Sequence, residues 1–163
     1  MSVAFTREED AESAAADLPD RPISPHPNLV TASGLAALEW ALAEARAAYA
    51  AARSSDDVKA DRTAIARATR DLRYYGSRRA SARLFEPAAE ADAVVFGCEV
   101  TVHRDAGRRQ TFRIVGEDEA DPAAGSISYI SPLAKAVLGR SVGDRVIAGR
   151  GEVEIIGVKN PQA

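Results

Sequence analysis

The residues in this chain best suited to chemistry are three carboxylates in one short stretch, Asp56, Asp57 and Asp61. Two carboxylates close together can share one hard divalent cation, because Mg²⁺ takes oxygen ligands at about 2.1 Å. Asp57 and Asp61 stand four apart, hence on one face of a helix, and could form such a pair. Alternatively, Asp56 and Asp57 only cap a helix that begins after Ser54-Ser55. Beyond them, Arg62, Arg67, Arg70, Arg73, Arg78, Arg79 and Arg83 face a single acid, Asp71. A basic stripe of this kind suits nucleic-acid phosphates. Its plainer reading is a solvated helix face, partly paired with Glu39 and Glu44. Tyr74 and Tyr75 offer rings for base stacking, although Tyr75 also falls in a packing seam.

The other reactive side chains imply less. Cys98 is the only cysteine, which excludes a disulfide and a thiolate metal site; it reads as a strand residue and not a nucleophile. His26 and His103 have no second histidine or cysteine at ligand spacing, so no metal is expected on them. A formal net charge of −3 and a pI of about 5.5 argue against bulk nucleic-acid binding. Residues 1–20 are acidic and broken by Asp and Pro, unlike a signal peptide. No apolar run approaches the ~20 residues needed to cross a bilayer. The expectation is a soluble, cytoplasmic chain with no membrane partner and no small-molecule substrate. Much of the 46% hydrophobic content is alanine, which buries little area, so a thick core is expected only near the C-terminus.

The elements that must position these residues follow from periodicity. Residues 1–28 carry Glu8, Glu9, Asp10, Glu12, Asp17 and Asp20 against Arg7 and Arg21, then Pro22, Pro25 and Pro27 after Pro19. This composition predicts a disordered acidic leader ending in an extended Pro-rich strap; the functional alternative is a tail that binds a basic surface. Thr31 and Ser33 are N-cap candidates. Leu35, Leu38, Leu42, Ala45, Tyr49 and Ala52 then recur at steps of three and four, an a/d seam. After Ser54–Asp57 a second seam runs through Val58, Ile65, Ala68, Leu72, Tyr75 and Ala82. Two such helices joined by a short turn lie antiparallel, so residues 29–86 are predicted to form a coiled-coil hairpin arm. Trp40, outside the seam, is expected to pack on the strap or on the globe.

Pro87 ends the second helix and residues 86–92 read as a linker. Period-two patterning predicts strands at 99–104, 111–115, 127–130, 145–148 and 153–158. Asp105-Ala106-Gly107 marks a hairpin turn. A short helix is expected over 132–138, capped by Ser131 and stopped by Gly139. Residues 93–160 therefore read as an antiparallel sheet with one helix, and the whole chain as α+β.

Within this region Val95-Phe96-Gly97, the run from Phe112 to Pro122 (FRIVGEDEADP), the run from Ile127 to Gly139 (ISYISPLAKAVLG) and Val142-Gly143-Asp144 together closely resemble the C-terminal domain of the Gre transcript-cleavage factors. Val30-Thr31-x-x-Gly34-Leu35 resembles, more weakly, that family's entry into its first arm helix. The resemblance implies an FKBP-like fold for 93–160, binding of this domain to bacterial RNA polymerase at the rim of the secondary channel, and entry of the coiled coil into that channel. It assigns docking to the acidic loop Glu117, Asp118, Glu119 and Asp121 and to Ser131, Pro132 and Leu133. The plainer reading of the loop is a solvated turn in which Asp121-Pro122 starts a bend. Gly116 and Gly139 are expected where the backbone turns or a helix ends, with glycine tolerating positive φ.

In Gre factors the arm tip presents a pair of acids to the polymerase active centre, where they help hold a second Mg²⁺ and orient the water that cleaves backtracked RNA. The family tip reads approximately Gly-Asp-x-x-Glu-Asn-Ala-acid-Tyr; here the stretch is Ser54-Ser55-Asp56-Asp57-Val58-Lys59-Ala60-Asp61-Arg62. Aligned on Asp56 the glutamate becomes Lys59, and aligned on Asp57 it becomes Ala60. Each helix is also about one heptad shorter than a Gre arm, roughly 10 Å of reach. The chain is thus expected to have no catalytic residues of its own and no permanently bound cofactor, with any Mg²⁺ shared with the polymerase. Arg67, Arg70, Arg73 and Arg78 would face nascent RNA. The function implied is a polymerase-binding modulator of elongation or initiation with weak or absent cleavage stimulation. Alternatives are a fully active cleavage factor and a short-armed regulator that binds nucleoside diphosphate kinase. A peptidyl-prolyl isomerase would need an aromatic-lined pocket, for which the C-terminal region offers only Phe96, Phe112 and Tyr129.

Overall fold

The structure, a computed structural model, describes residues 18–54, 58–86, 92–104 and 107–160, with 58–61 defined by their helical backbone alone. In chain order the elements are β1 (Leu29–Val30), α1 (Ala32–Ser54), α2 (Val58–Ser81), β2 (Arg83–Leu84), β3 (Glu99–Arg104), β4 (Arg108–Val115), a 3-10 turn (Pro122–Ala124), β5 (Ser126–Ser128), α3 (Pro132–Val137), β6 (Arg145–Ala148) and β7 (Gly151–Lys159). They form two compact units: Met1–Pro27 with Ala36–Ser81, and Asn28–Leu35 with Ala82–Ala163.

The first unit is built on the two helices. Leu38, Leu42, Ala45 and Ala52 of α1 and Ala68 of α2 are buried, with Tyr49, Ile65, Leu72 and Tyr75 half-buried beside them. These are the seam positions, so the period of the apolar residues does set which faces meet. Glu39, near the start of α1, accepts from Arg79, near the end of α2, at 2.7 Å, as an antiparallel pairing requires. Trp40, expected to be packed, is instead 68% exposed. Leu18–Pro27 has no regular structure, as its prolines dictate, and is held against α2. The expected disorder of the leader concerns residues 1–17, which lie outside the described residues, as do the turn residues 55–57 and most of the linker, 87–91.

The second unit centres on a five-stranded sheet of order β5-β4-β3-β7-β6. It is mixed, not antiparallel as expected: β5 runs parallel to β4, with Ile114 opposite Ile127. The reason is the connection. Residues 116–125 carry the chain back along β4, so that β5 starts beside Arg113 and runs the same way. The remaining pairs are antiparallel, and a β-bulge opposite Thr101/Val102 adds curvature. Val100, Val102, Phe112, Ile114, Val153 and Ile155 fill the core with Ala134 and Val137 of α3. The unit also contains a two-stranded parallel sheet of β1 and β2, closed by Arg83 N–H to Asn28 O at 2.8 Å and Phe85 N–H to Val30 O at 3.0 Å.

Two glycines differ in why they are glycine. Gly139 stands after α3 with φ 79°, as a helix stop demands. Gly116 has no positive φ. A Cβ there would run into the backbone carbonyl oxygen of Leu29, so this glycine serves the close approach of β1 to the end of β4.

Candidate functional site

The parallel pairing of β4 and β5 has a direct consequence for the predicted docking residues. Both strands finish at the same end of the sheet, where Tyr129 N–H donates to Val115 O at 2.9 Å. The acidic loop leaves from β4 at that end, and Ser131, Pro132 and Leu133 begin α3 there after β5. Two sequence patches separated along the chain are thereby gathered at one end of one domain.

Within that end the side chains divide by role. Glu119 is half-buried, and its charge is engaged within the domain. Its carboxylate accepts from Thr31 Oγ1 at 2.6 Å and from Ser33 Oγ at 2.7 Å, at the start of α1. Thr31 in turn accepts from Gly34 N–H at 3.0 Å, the N-cap interaction, and its carbonyl takes Leu35 N–H at 2.9 Å. The negative charge of Glu119 therefore sits where the α1 dipole is positive. Gly34 leaves room for it, since a Cβ at 34 would fall 2.5 Å from Glu119 Oε2. Asp121 is also committed locally: Oδ1 accepts from Ala123 and Ala124 N–H at 3.1 and 3.3 Å, capping the 3-10 turn. Ser131 caps α3 by accepting from Ala134 N–H at 3.3 Å, and Leu133 packs on the core. Asp118 and Pro132 are exposed and Glu117 half-buried. Of the seven predicted docking residues, Asp118, Asp121 and Pro132 are exposed.

On the arm, Asp56 and Asp57 lie outside the described residues, and Asp61 is placed only as a backbone position in α2. Arg67 and Arg73 are exposed and Arg70 is half-buried. Arg78 is 2% exposed, so it drops out of the basic stripe: a buried guanidinium cannot meet RNA phosphates. Tyr74 and Tyr75 pack edge to face at 5.3 Å, and the Arg21 guanidinium covers the Tyr74 ring at 3.7 Å. That ring face is occupied by the chain's own cation. Asp20 pairs with Arg73 at 3.1 Å and Arg21 with Asp71 at 3.6 Å. The sequence signals none of these strap contacts, because a Pro-rich segment has no period that shows what it touches.

Cys98 is fully buried at the head of β3, and burial pushes its thiol pKa up. His26 and His103 are exposed. Among the described residues no three His, Cys, Asp or Glu side chains converge on a metal position. Phe112 lies in the core, and Phe96 is wedged edge to face between Phe85 and Tyr129 at 5.8 Å from each. These rings pack against one another and into the core.

Comparison with known proteins agrees with the domain just described. Residues 89–160 match the family model for the transcription elongation factor GreA/GreB C-terminal domain. GreA of Desulfovibrio desulfuricans is 42% identical over 93 residues, covering 53% of this chain and 57% of that protein. GreB of Neisseria meningitidis serogroup B is 41% identical over 96 residues, covering 55% and 59%. Residues 89–160 are thus similar to the C-terminal domain of the Gre-type transcription elongation factors. The match spans somewhat more than half the length of these curated relatives. Among solved structures, GreA factor homolog 1 of Thermus thermophilus is 23% identical with a TM-score of 0.38, covering 83% of this chain and all of that one. A GreA/GreB factor of Nitrosomonas europaea is 18% identical, also at 0.38, covering 80% and 98%. At such scores the assignment rests on the sequence match.

Proposed function

We propose that this chain binds bacterial RNA polymerase through its C-terminal domain, projects the helical hairpin into the secondary channel, and modulates elongation or initiation with little stimulation of transcript cleavage. The observation that carries this reading is the match of residues 89–160 to the GreA/GreB C-terminal domain, joined in one chain to an antiparallel helical hairpin. An FKBP-like description of the domain, and contact of Arg67, Arg70 and Arg73 with nascent RNA, belong to the same proposal. Docking is carried by Asp118 and Pro132, with Glu119, Asp121 and Ser131 holding the loop and α3 in shape.

Weak cleavage follows from the tip. The acid-x-x-Glu spacing is absent, since Lys59 or Ala60 stands where the glutamate belongs. α1 has 23 residues, about 34 Å of helix at 1.5 Å per residue. One heptad less than a Gre arm removes roughly 10 Å, whereas a Mg²⁺ ligand must come within about 2.1 Å. Side-chain rotation does not close such a gap. In a backtracked elongation complex with labelled RNA, excess protein should leave the transcript nearly intact. Rapid cleavage that disappears in Asp57→Ala or Asp61→Ala would show a competent tip and overturn this part of the reading.

A further inference from the structure

The β3–β4 hairpin turns at the end of the sheet opposite the acidic loop. It does so through Arg104-Asp105-Ala106-Gly107-Arg108-Arg109, three arginines against one acid. The register puts Arg104 opposite Arg108 and His103 opposite Arg109. Ala148 pairs with Gly151, and Val153 with Arg104, so the β6–β7 turn brings Arg150 to the same end. Arg104, Arg108, Arg109 and Gln110 line an open concavity of about 370 Å³. Arg108 and Arg109 are exposed, while Arg104 is held in place by donating from Nε to Gln110 Oε1 at 2.9 Å. On the neighbouring β7, Glu152 and Glu154 are engaged by Arg145 at 3.6 and 3.2 Å.

A guanidinium presents its N–H donors in a planar fork that matches phosphate oxygens. The described lining of the concavity is three such groups and one carboxamide, all hydrogen-bonding. A protein partner gains most from apolar and aromatic anchors, whereas a nucleic-acid backbone is held by arginines and side-chain amides. β4 is 8 residues long, roughly 24 Å at about 3.4 Å per residue. With a Debye length of about 8 Å at physiological ionic strength, the acidic loop at its far end does not cancel the attraction. Because the chain as a whole is acidic, at −3, the local attraction is best met by the densest polyanion. Duplex DNA carries one charge per about 1.7 Å of axis. We propose that the β3–β4 hairpin tip, through Arg104, Arg108 and Arg109, docks on the phosphate backbone of duplex DNA without reading its sequence. The contact does not depend on polymerase binding, since the tip and the acidic loop lie at opposite ends of the domain.

The test is an NMR titration of the isotope-labelled, full-length chain with a DNA duplex of mixed sequence, about one helical turn long. In about 0.05 M salt the amides of residues 103, 104, 107–110 and 150 should shift together. Three neutralised phosphates, at about 0.9 each, predict a slope of about −2.7 for log affinity against log salt, read from those amides. Arg108→Gln with Arg109→Gln should lower affinity at least severalfold and bring the slope to about −1. Arg108→Lys with Arg109→Lys keeps both charges and should hold the slope. Shifts confined to the arm helices, no binding at low salt, or an unchanged slope in the glutamine pair overturn the proposal. Equal affinity for a single strand of the same length, or for an oligoglutamate, also overturns it and assigns the tip to another kind of anion.

Discussion

Glu119 stands in a run of acids, Glu117-Asp118-Glu119, that as a sequence looks like one uniform docking surface. The fold separates them. Glu119 reaches across 88 residues of chain to Thr31 and ties the entry of α1 to the loop after β4, both within the C-terminal unit. Two short hydrogen bonds to a carboxylate at a helix start are worth about 1–3 kcal/mol in a half-buried setting. Glu119→Ala should therefore lower stability by roughly 2 kcal/mol in urea unfolding, and charge reversal at 119 should cost folding as well as binding. A variant that melts like the parent would contradict the capping role. Gly116→Ala is the companion test: its Cβ meets backbone, which cannot swing aside, so destabilisation of about 1–3 kcal/mol is expected in the same assay. Neither role is legible in sequence, because period and propensity describe neighbours along the chain, and these contacts join residues far apart in it.

Elements were more legible than contacts. The heptad positions mark which faces of α1 and α2 are buried, and β3 and β6 fall where alternation puts them. What was missed has no periodic signature. β1 and β2 have two residues each, too few to alternate, and the direction of β5 depends on how far the preceding loop returns along β4. Arg78 reads as one more arginine of a stripe, yet it is buried, which composition cannot show. Gly76 interrupts α2, and a Cβ there would meet nothing within 4 Å. Gly76→Ala should accordingly stabilise the chain by about 0.5–1 kcal/mol, because glycine loses more backbone entropy in a helix. Thermal unfolding checks the sign: an unchanged or lower midpoint would mean that this part of the arm needs glycine for another reason.

At the scale of the molecule, an acidic chain places seven of its 21 Lys and Arg residues on one helix of a hairpin, while a separate α+β domain matches the GreA/GreB C-terminal family. A net charge of −3 makes non-specific nucleic-acid binding a poor use for that helix. A protein partner that brings nucleic acid to it is the better fit, which is the relation proposed with RNA polymerase. The altered tip then predicts occupancy without cleavage, so this chain and a cleavage-competent factor should exclude each other. The most direct measurement is displacement of a fluorescently labelled conventional Gre factor from bacterial core RNA polymerase by the unlabelled chain. Complete displacement is expected at saturation, with Asp118→Arg shifting the curve at least severalfold to higher concentration. No displacement at large excess of the folded parent chain would contradict the proposed docking outright.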